Sequence, residues 1–280
     1  MNKHVTTIAT VASFTVGCVA CSANANAGAV LERVLSTKTL TVAVGTAWGK
    51  MSFLNDKHEL DGSDVDIANA IAKSLGVKTN FVTPGWDVIT AGKWEGRWDM
   101  AMGQMTPTKA RAEKLTFPAV YFYNHAVAVI HKDSKATKLS DLDGKVVGVS
   151  ASTTQESYAN HDLTPDWLGA QPIQYQFKPA QVKAYPSSNN IALEDLRLGD
   201  GVRLDAVLAD ESTAINAIRS GYPLKVLGES LYSEPGSIVT LHGDKEFGDK
   251  IAAAIKSMKD DGTLSKLSIK WYGVDYTVEK

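Results

Sequence analysis

The sequence predicts an α/β fold in two lobes, each a mainly parallel sheet flanked by helices, joined by a two-stranded hinge. Three features point there. Short apolar strands alternate with helical patterns over the first hundred residues, the alternation restarts near residue 139, and two long extended segments run between the two units.

"TLTVAVGTAW" (39–48) reads as a buried strand and a turn. In "SDVDIANAIAKSLG", Ile67, Ile71 and Leu75 recur at helical spacing, Ser63 and Asp64 are the N-cap candidates, and Gly76 is the stop. "VKTNFV" is the next strand, "WDVITAGKWEGR" a helix and "WDMAMGQM" a strand. In the second unit "KVVGV" and "RLDAVLAD" are strands, while "TTQESYANH", "IALEDLRLGDG" and "ESTAINAIRSG" are helices. "PLKVLG" is a further strand. The crossings are "AVYFYNHAVAVIHK" (119–132) and "GSIVTLHGDK", which begins at Gly236. Phe247, Ile251, Ile255 and Met258 then mark one apolar helix face. Residues 160–190, rich in Pro, Gln, Asn and Ser, give no clear pattern.

The 280 residues are 44% hydrophobic, enough for one large core or two smaller ones. A formal net charge of −2 gives no footprint for nucleic acid. Residues 1–27 read as an export signal, with basic "MNKH", a mostly apolar stretch, and "ANA" before Gly28 as the cleavage site. "TVGC" offers lipidation at Cys18 as the alternative, although Thr15 departs from the usual lipobox residue. Cys18 and Cys21 both precede the cleavage site, so the mature chain is expected to have no disulfide. The organisation expected is a signal over 1–27, a first lobe over 28–125, a second over 126–233, and a return to the first over 234–280.

Ligands of open α/β sheets bind beyond the carboxyl ends of the strands. The residues found there are Trp48, Trp86, the run "QMTPTKAR" with Gln104, Thr106 and Arg111, the run "STTQE" with Thr153 and Thr154, and Asp210. Such a set suits a small zwitterion: a guanidinium for its carboxylate, a carboxylate for its ammonium, and rings for its side chain. Each residue also has an ordinary reading. Arg111 could be a solvated charge, Thr153 and Glu156 a capping box, Asp210 a helix cap, and the two tryptophans packing. A helix start that is capped also attracts a carboxylate, so those two readings are compatible. No metal-ligand spacing joins His4, His58, His125, His131, His161 and His242, and no nucleophile elbow or phosphate-binding loop is present. No catalytic residue, metal or cofactor is expected.

The blocks "LTVAVGTAW", "LDGSDVDIANAIAKSLGVKTNFV", "WDVITAGKWEGRWDMAMGQMTPTKARAEKLTFPAVYFY", "GKVVGVSASTTQE", "RLDAVLAD" and "MKDDGTLSKLSIKWYG" occur in that order. Together they resemble the polar amino-acid family of periplasmic solute-binding proteins, the receptors of ABC importers, over most of 38–275. The resemblance implies a type II periplasmic-binding-protein fold and a periplasmic monomer that hands a small ligand to an ABC transporter permease. It also implies roles. Arg111 would clamp the ligand α-carboxylate with Thr106, helped by Thr153 and Thr154 from the other lobe. Asp210 and the Gln104 carbonyl would take the ammonium, and Trp48 and Trp86 would flank the side chain. Ser63 and Ser152 depart from the family pattern, Ser152 standing where glycine is common. Cyclohexadienyl dehydratases share the fold and are the enzymatic alternative, but Thr213 occupies the position of their catalytic glutamate. A free-standing binder is expected over the sensor lobe of a receptor.

Overall fold

The computed structural model describes residues 28–186 and 189–279. The expected export signal over 1–27, with Cys18 and Cys21, lies outside the described residues. The chain opens with α1 (Ala29–Thr37), β1 (Thr39–Ala43), β2 (Phe53–Leu54), β3 (Leu60–Asp61), α2 (Ser63–Ser74) and β4 (Lys78–Val82). It continues through α3 (Trp86–Thr90), β5 (Met100–Met105), α4 (Lys109–Ala112) and the long β6 (Leu115–His131). Then come β7 (Val146–Ser150), α5 (Thr154–Ala159), β8 (Gln181–Tyr185), α6 (Asn189–Leu196), β9 (Ala206–Asp210) and α7 (Glu211–Arg219). The second long strand, β10 (Leu224–Leu241), leads to α8 (Lys245–Asp260) and α9 (Thr263–Tyr272).

Eight strands join in the order β4-β1-β5-β10-β6-β9-β7-β8. β1 is parallel to both β4 and β5, and β7 is parallel to both β8 and β9. Between these parallel sets, β6 and β10 pair antiparallel from Leu224↔His131 to Leu241↔Leu115. At 17 and 18 residues they are far longer than an ordinary strand of about 5–6, because each belongs to both lobes. Along this pairing the packing passes from the first core, with Phe122 and Ile238, to the second, with Ala126 and Tyr232; between them His125 faces Ser233 and Asn124 faces Glu234.

Each lobe buries both faces of its sheet. In the first, Leu40, Val42, Met100, Ile67 and Ile71 pack with Phe247, Ile251 and Ile255 of α8, while Ala43, Met105, Ile89 and Trp94 fill the opposite face. In the second, Ala126, Ala128 and Ile130 of β6 enter one core and Val127 and Val129 the other, the period-two alternation of a strand. The apolar face expected on the C-terminal helix is buried, and removing one such side chain from water stabilises by about 1.5–3 kcal/mol.

Four local expectations need correction. Gly62 is the N-cap of α2, with Ser63 and Asp64 in the first turn; both are buried, Asp64 accepting from the Tyr121 hydroxyl at 2.9 Å. The "WDVITAGKWEGR" helix is short, because Gly92, Glu95 and Gly96 adopt positive φ and the Trp94 indole turns back to donate to the Ile89 carbonyl. "PLKVLG" and "GSIVTLHGDK" are not separate: both lie on β10, whose bulge after Leu227 hides the continuity. Within 160–190 the chain forms β8, whose charged and polar residues suit a sheet edge and gave no apolar run.

Candidate functional site

The carboxyl ends of the strands in both lobes face one cleft. Its first-lobe wall holds Trp48, Trp86, Gln104, Thr106 and Arg111, and its second-lobe wall holds Thr153, Thr154 and Asp210. All eight residues singled out in the sequence therefore line one cavity. The indoles of Trp48 and Trp86 meet edge to face, 5.3 Å apart at 89°. Gly103, in β5, permits that arrangement. Its φ of +126° is a glycine conformation, and a Cβ there would lie 2.9 Å from atoms of both rings.

Arg111 is on α4, a single turn whose N-cap Thr108 accepts from the Arg111 backbone N–H. Its guanidinium lies over Trp86, 5.7 Å from the ring centroid. Nη1 donates to the Thr106 carbonyl at 2.8 Å, and Nη2 reaches across the cleft to the Ser152 carbonyl at 2.8 Å. The Trp86 indole N–H donates to that same carbonyl at 3.1 Å. Ser152 has φ +62°, a left-handed conformation that glycine adopts most readily. Loss of water lowers the Arg111 pKa from its ordinary value, and the negative charge of Glu234 works against that shift.

Thr153 is the N-cap of α5: its hydroxyl accepts from Glu156 N–H, and the Glu156 carboxylate accepts from Ser152 N–H at 2.6 Å. The expected capping box is thus present with its return bond displaced by one residue. Asp210 stands at the N-cap position of α7 but makes no capping hydrogen bond. Its carboxylate turns into the cavity and accepts from Gln155 Nε2 at 2.7 Å.

The floor was not legible in the sequence. Asn124 and Glu234 face each other on β6 and β10, between the two cores, and both are buried. Glu234 accepts from the Thr106 hydroxyl at 2.7 Å and from Gln155 Nε2 at 3.4 Å, so a single amide nitrogen serves both acids. Burial pushes Glu234 up to about 7, and the neighbouring Asp210 charge pushes the same way. Burial raises Asp210 to about 6 against the hydrogen bonds from Asn124 and Gln155. The extended run that begins at Gly236 excludes Glu234, and an acid two residues before that run is the signal the sequence carries.

Outside the cavity, the lobes also meet through backbone. Lys109 N–H donates to the Thr164 carbonyl at 3.1 Å and Asp166 N–H to the Pro107 carbonyl at 3.2 Å, an antiparallel bridge centred on Thr108 and Pro165. The poorly patterned 160–190 stretch thereby straps onto the loop that carries Arg111.

Residues 40–274 match the bacterial extracellular solute-binding proteins, family 3. The chain belongs to that family. Among family relatives, the L-cystine-binding protein TcyJ of Escherichia coli K12 is 29% identical over 251 residues, covering 89% of this chain and 88% of its own. The arginine-binding extracellular protein ArtP of Bacillus subtilis is 29% identical over 215 residues, covering 75% and 77%. An ancestral arginine-binding protein, solved with arginine bound, is 31% identical with a TM-score of 0.72, covering 84% of this chain and 99% of that one. The ancestral amino acid-binding protein AncCDT-1, a precursor of cyclohexadienyl dehydratase, is 28% identical with a TM-score of 0.74, covering 86% and 99%. The two-lobed α/β architecture of this family 3 protein matches these structures. Among the described residues no helix is long and apolar enough to cross a membrane, and no group of three or more His, Cys, Asp or Glu is placed to hold a metal ion.

Proposed function

We propose that this solute-binding protein captures an amino acid or a related small zwitterion between its two lobes and presents the closed form to the permease of an ABC importer. The observation that carries the reading is one cavity with Arg111 on the first lobe and Asp210 on the second. A guanidinium offers a planar two-point fork to a carboxylate, which lysine cannot reproduce. Thr106, Thr153 and Thr154 surround the carboxylate end, Gln104 and Asp210 take the ammonium, and Trp48 and Trp86 flank the side chain. Because the two charges sit on different lobes, a ligand makes all its contacts only when they close, and that differential contact shifts the equilibrium to the closed form. The lobes are 28–125 with 234–280, and 126–233. The protein works outside the cytoplasm as a monomer after removal of residues 1–27, with attachment through Cys18 as the alternative.

Relatives named for arginine and for cystine support an amino-acid ligand, and paired indoles accommodate a cationic or an apolar side chain. A thermal-shift screen of amino acids, opines and related zwitterions tests the reading. A bound ligand at a hundred times its Kd adds about 2.7 kcal/mol of stability, and no shift from any of them would overturn it.

An enzymatic reading, a dehydratase on the same fold, draws on one feature: Glu234 is a buried acid in the cavity whose pKa of about 7 suits proton transfer. Against it, Thr213 lines the cavity where the catalytic glutamate of those enzymes is expected. Incubation with prephenate or arogenate separates the two, and binding without turnover is the result expected.

A further inference from the structure

The cavity holds more negative charge than an amino-acid site requires. A zwitterion is matched by one guanidinium and one carboxylate, Arg111 and Asp210. Glu234 is a second acid, 4% exposed, at the floor between them. Among the described residues Arg111 is the one cation that acts on it. The titratable and charged groups around it are Asp210 at the end of β9, Arg111 on α4 and Tyr232 on its own strand, while Thr106 and Thr154 supply neutral hydroxyls. Gln155 adds an amide donor to both acids.

Thr106 ties Glu234 to the carboxylate end of the site. Its carbonyl holds the Arg111 guanidinium at 2.8 Å and its hydroxyl holds Glu234 at 2.7 Å. A ligand carboxylate drawn to Arg111 is therefore brought towards an ionised Glu234, in a place where closure removes the water that would screen them. An unpaired charge in such surroundings takes up a proton before it stays buried.

Resting on the amino-acid reading of the cavity, we propose that Glu234 fixes the total charge the closed site accepts: the charge of the ligand plus the number of protons taken up on binding equals one. A net-neutral amino acid enters with one proton, which goes onto the Asp210–Glu234 pair. An amino acid with a cationic side chain brings the positive charge itself and enters with none. Glu234 is in this sense a specificity-determining residue, and its demand grows as pH rises. Near neutrality and below, where burial already protonates part of the pair, neutral ligands bind readily. In alkaline medium the advantage passes to cationic ones.

The test is calorimetry at pH 8 in two buffers of different ionisation enthalpy, on the full mature protein. The probes are the twenty standard amino acids and cystine, followed by proton counting for each that binds. In the wild-type protein the ligand charge and the proton count are expected to sum to about one for every binder. In Glu234→Gln they are expected to sum to about zero, with neutral binders gaining at least tenfold over cationic ones relative to the wild type. A wild-type sum of zero, or a Glu234→Gln protein with the wild-type sum, overturns the proposal while leaving the amino-acid reading intact. If no amino acid binds, the reading itself fails and the proposal falls with it. The wild-type count decides the matter even if the variant does not fold.

Discussion

Arg111 Nη2 stands 2.8 Å from the carbonyl oxygen of Ser152, so the guanidinium of one lobe is tied to the helix start of the other. The same side chain holds the Thr106 carbonyl with Nη1. Arg111→Ala removes both ties and the partner of the ligand carboxylate. Binding is expected to weaken by about 2–5 kcal/mol, the scale for truncating one member of a buried charge pair. Calorimetry giving wild-type affinity would remove Arg111 from the site.

Asp210 heads α7 without capping it, so its carboxylate is available to a ligand ammonium. Asp210→Ala should cost a similar amount of binding with little loss of helix stability. Replacing the ligand by its analogue without the amino group should cost the wild type heavily and the variant hardly at all. Equal losses in both would show that Asp210 does not meet the ammonium.

Gly103 sits under the Trp48–Trp86 pair with φ +126°. Gly103→Ala forces a strained backbone and pushes both rings outward. A backbone held in such a region costs about 1–3 kcal/mol. The expected result is a lower Tm, together with altered near-UV circular dichroism from the displaced indoles. An unchanged spectrum would mean that the rings do not depend on this glycine.

Lys109 occupies the first position of α4, where proline is well tolerated, and Thr108 before it is already extended at φ −127°, ψ 158°. Lys109→Pro thus deletes one interlobe hydrogen bond, to Thr164, and leaves the turn that carries Arg111 in place. At about 1 kcal/mol for such a bond, ligand should leave roughly fivefold faster. Stopped-flow release with a wild-type rate would assign the strap no part in holding the lobes closed.

Glu234 and Asp210 are raised to about 7 and about 6 from ordinary values of 4.5 and 3.8. Asp64, buried in the first lobe, is also raised to about 7. Between about pH 4 and 7 the folded chain holds protons that the unfolded chain has released, so stability falls as pH rises. The contribution is full below the unfolded values and lost through the folded ones. At about 1.4 kcal/mol per pK unit, Glu234 alone accounts for about 3 kcal/mol. Denaturant unfolding of the ligand-free protein should show this decline from pH 5 to 8, and Glu234→Gln should flatten it. A flat wild-type profile would contradict the burial of these acids.

Strand and helix periods, glycine stops and residues at strand ends were enough to read two α/β units and the eight residues that line the cavity. Those signals are local, because side chains at the ends of parallel strands face one edge whatever the rest of the chain does. Strand ends place Asp210 at the cavity but leave its role open: a carboxylate at a helix start caps the helix or turns away from it, and the competing donor, Gln155, comes from another strand–helix unit. Glu234 was out of reach for the same reason. On its own strand it is one acid beside a proline. Only the antiparallel register of β6 and β10 sets it opposite Asn124, and only the closure of two lobes brings Thr106, Gln155 and Arg111 around it. The strap through Thr164 and Asp166 joins residues more than fifty positions apart by backbone alone, which leaves no mark in side-chain pattern. Local periodicity determined the elements and the rim of the site; long-range register and lobe packing decided its floor, its charge and its latch.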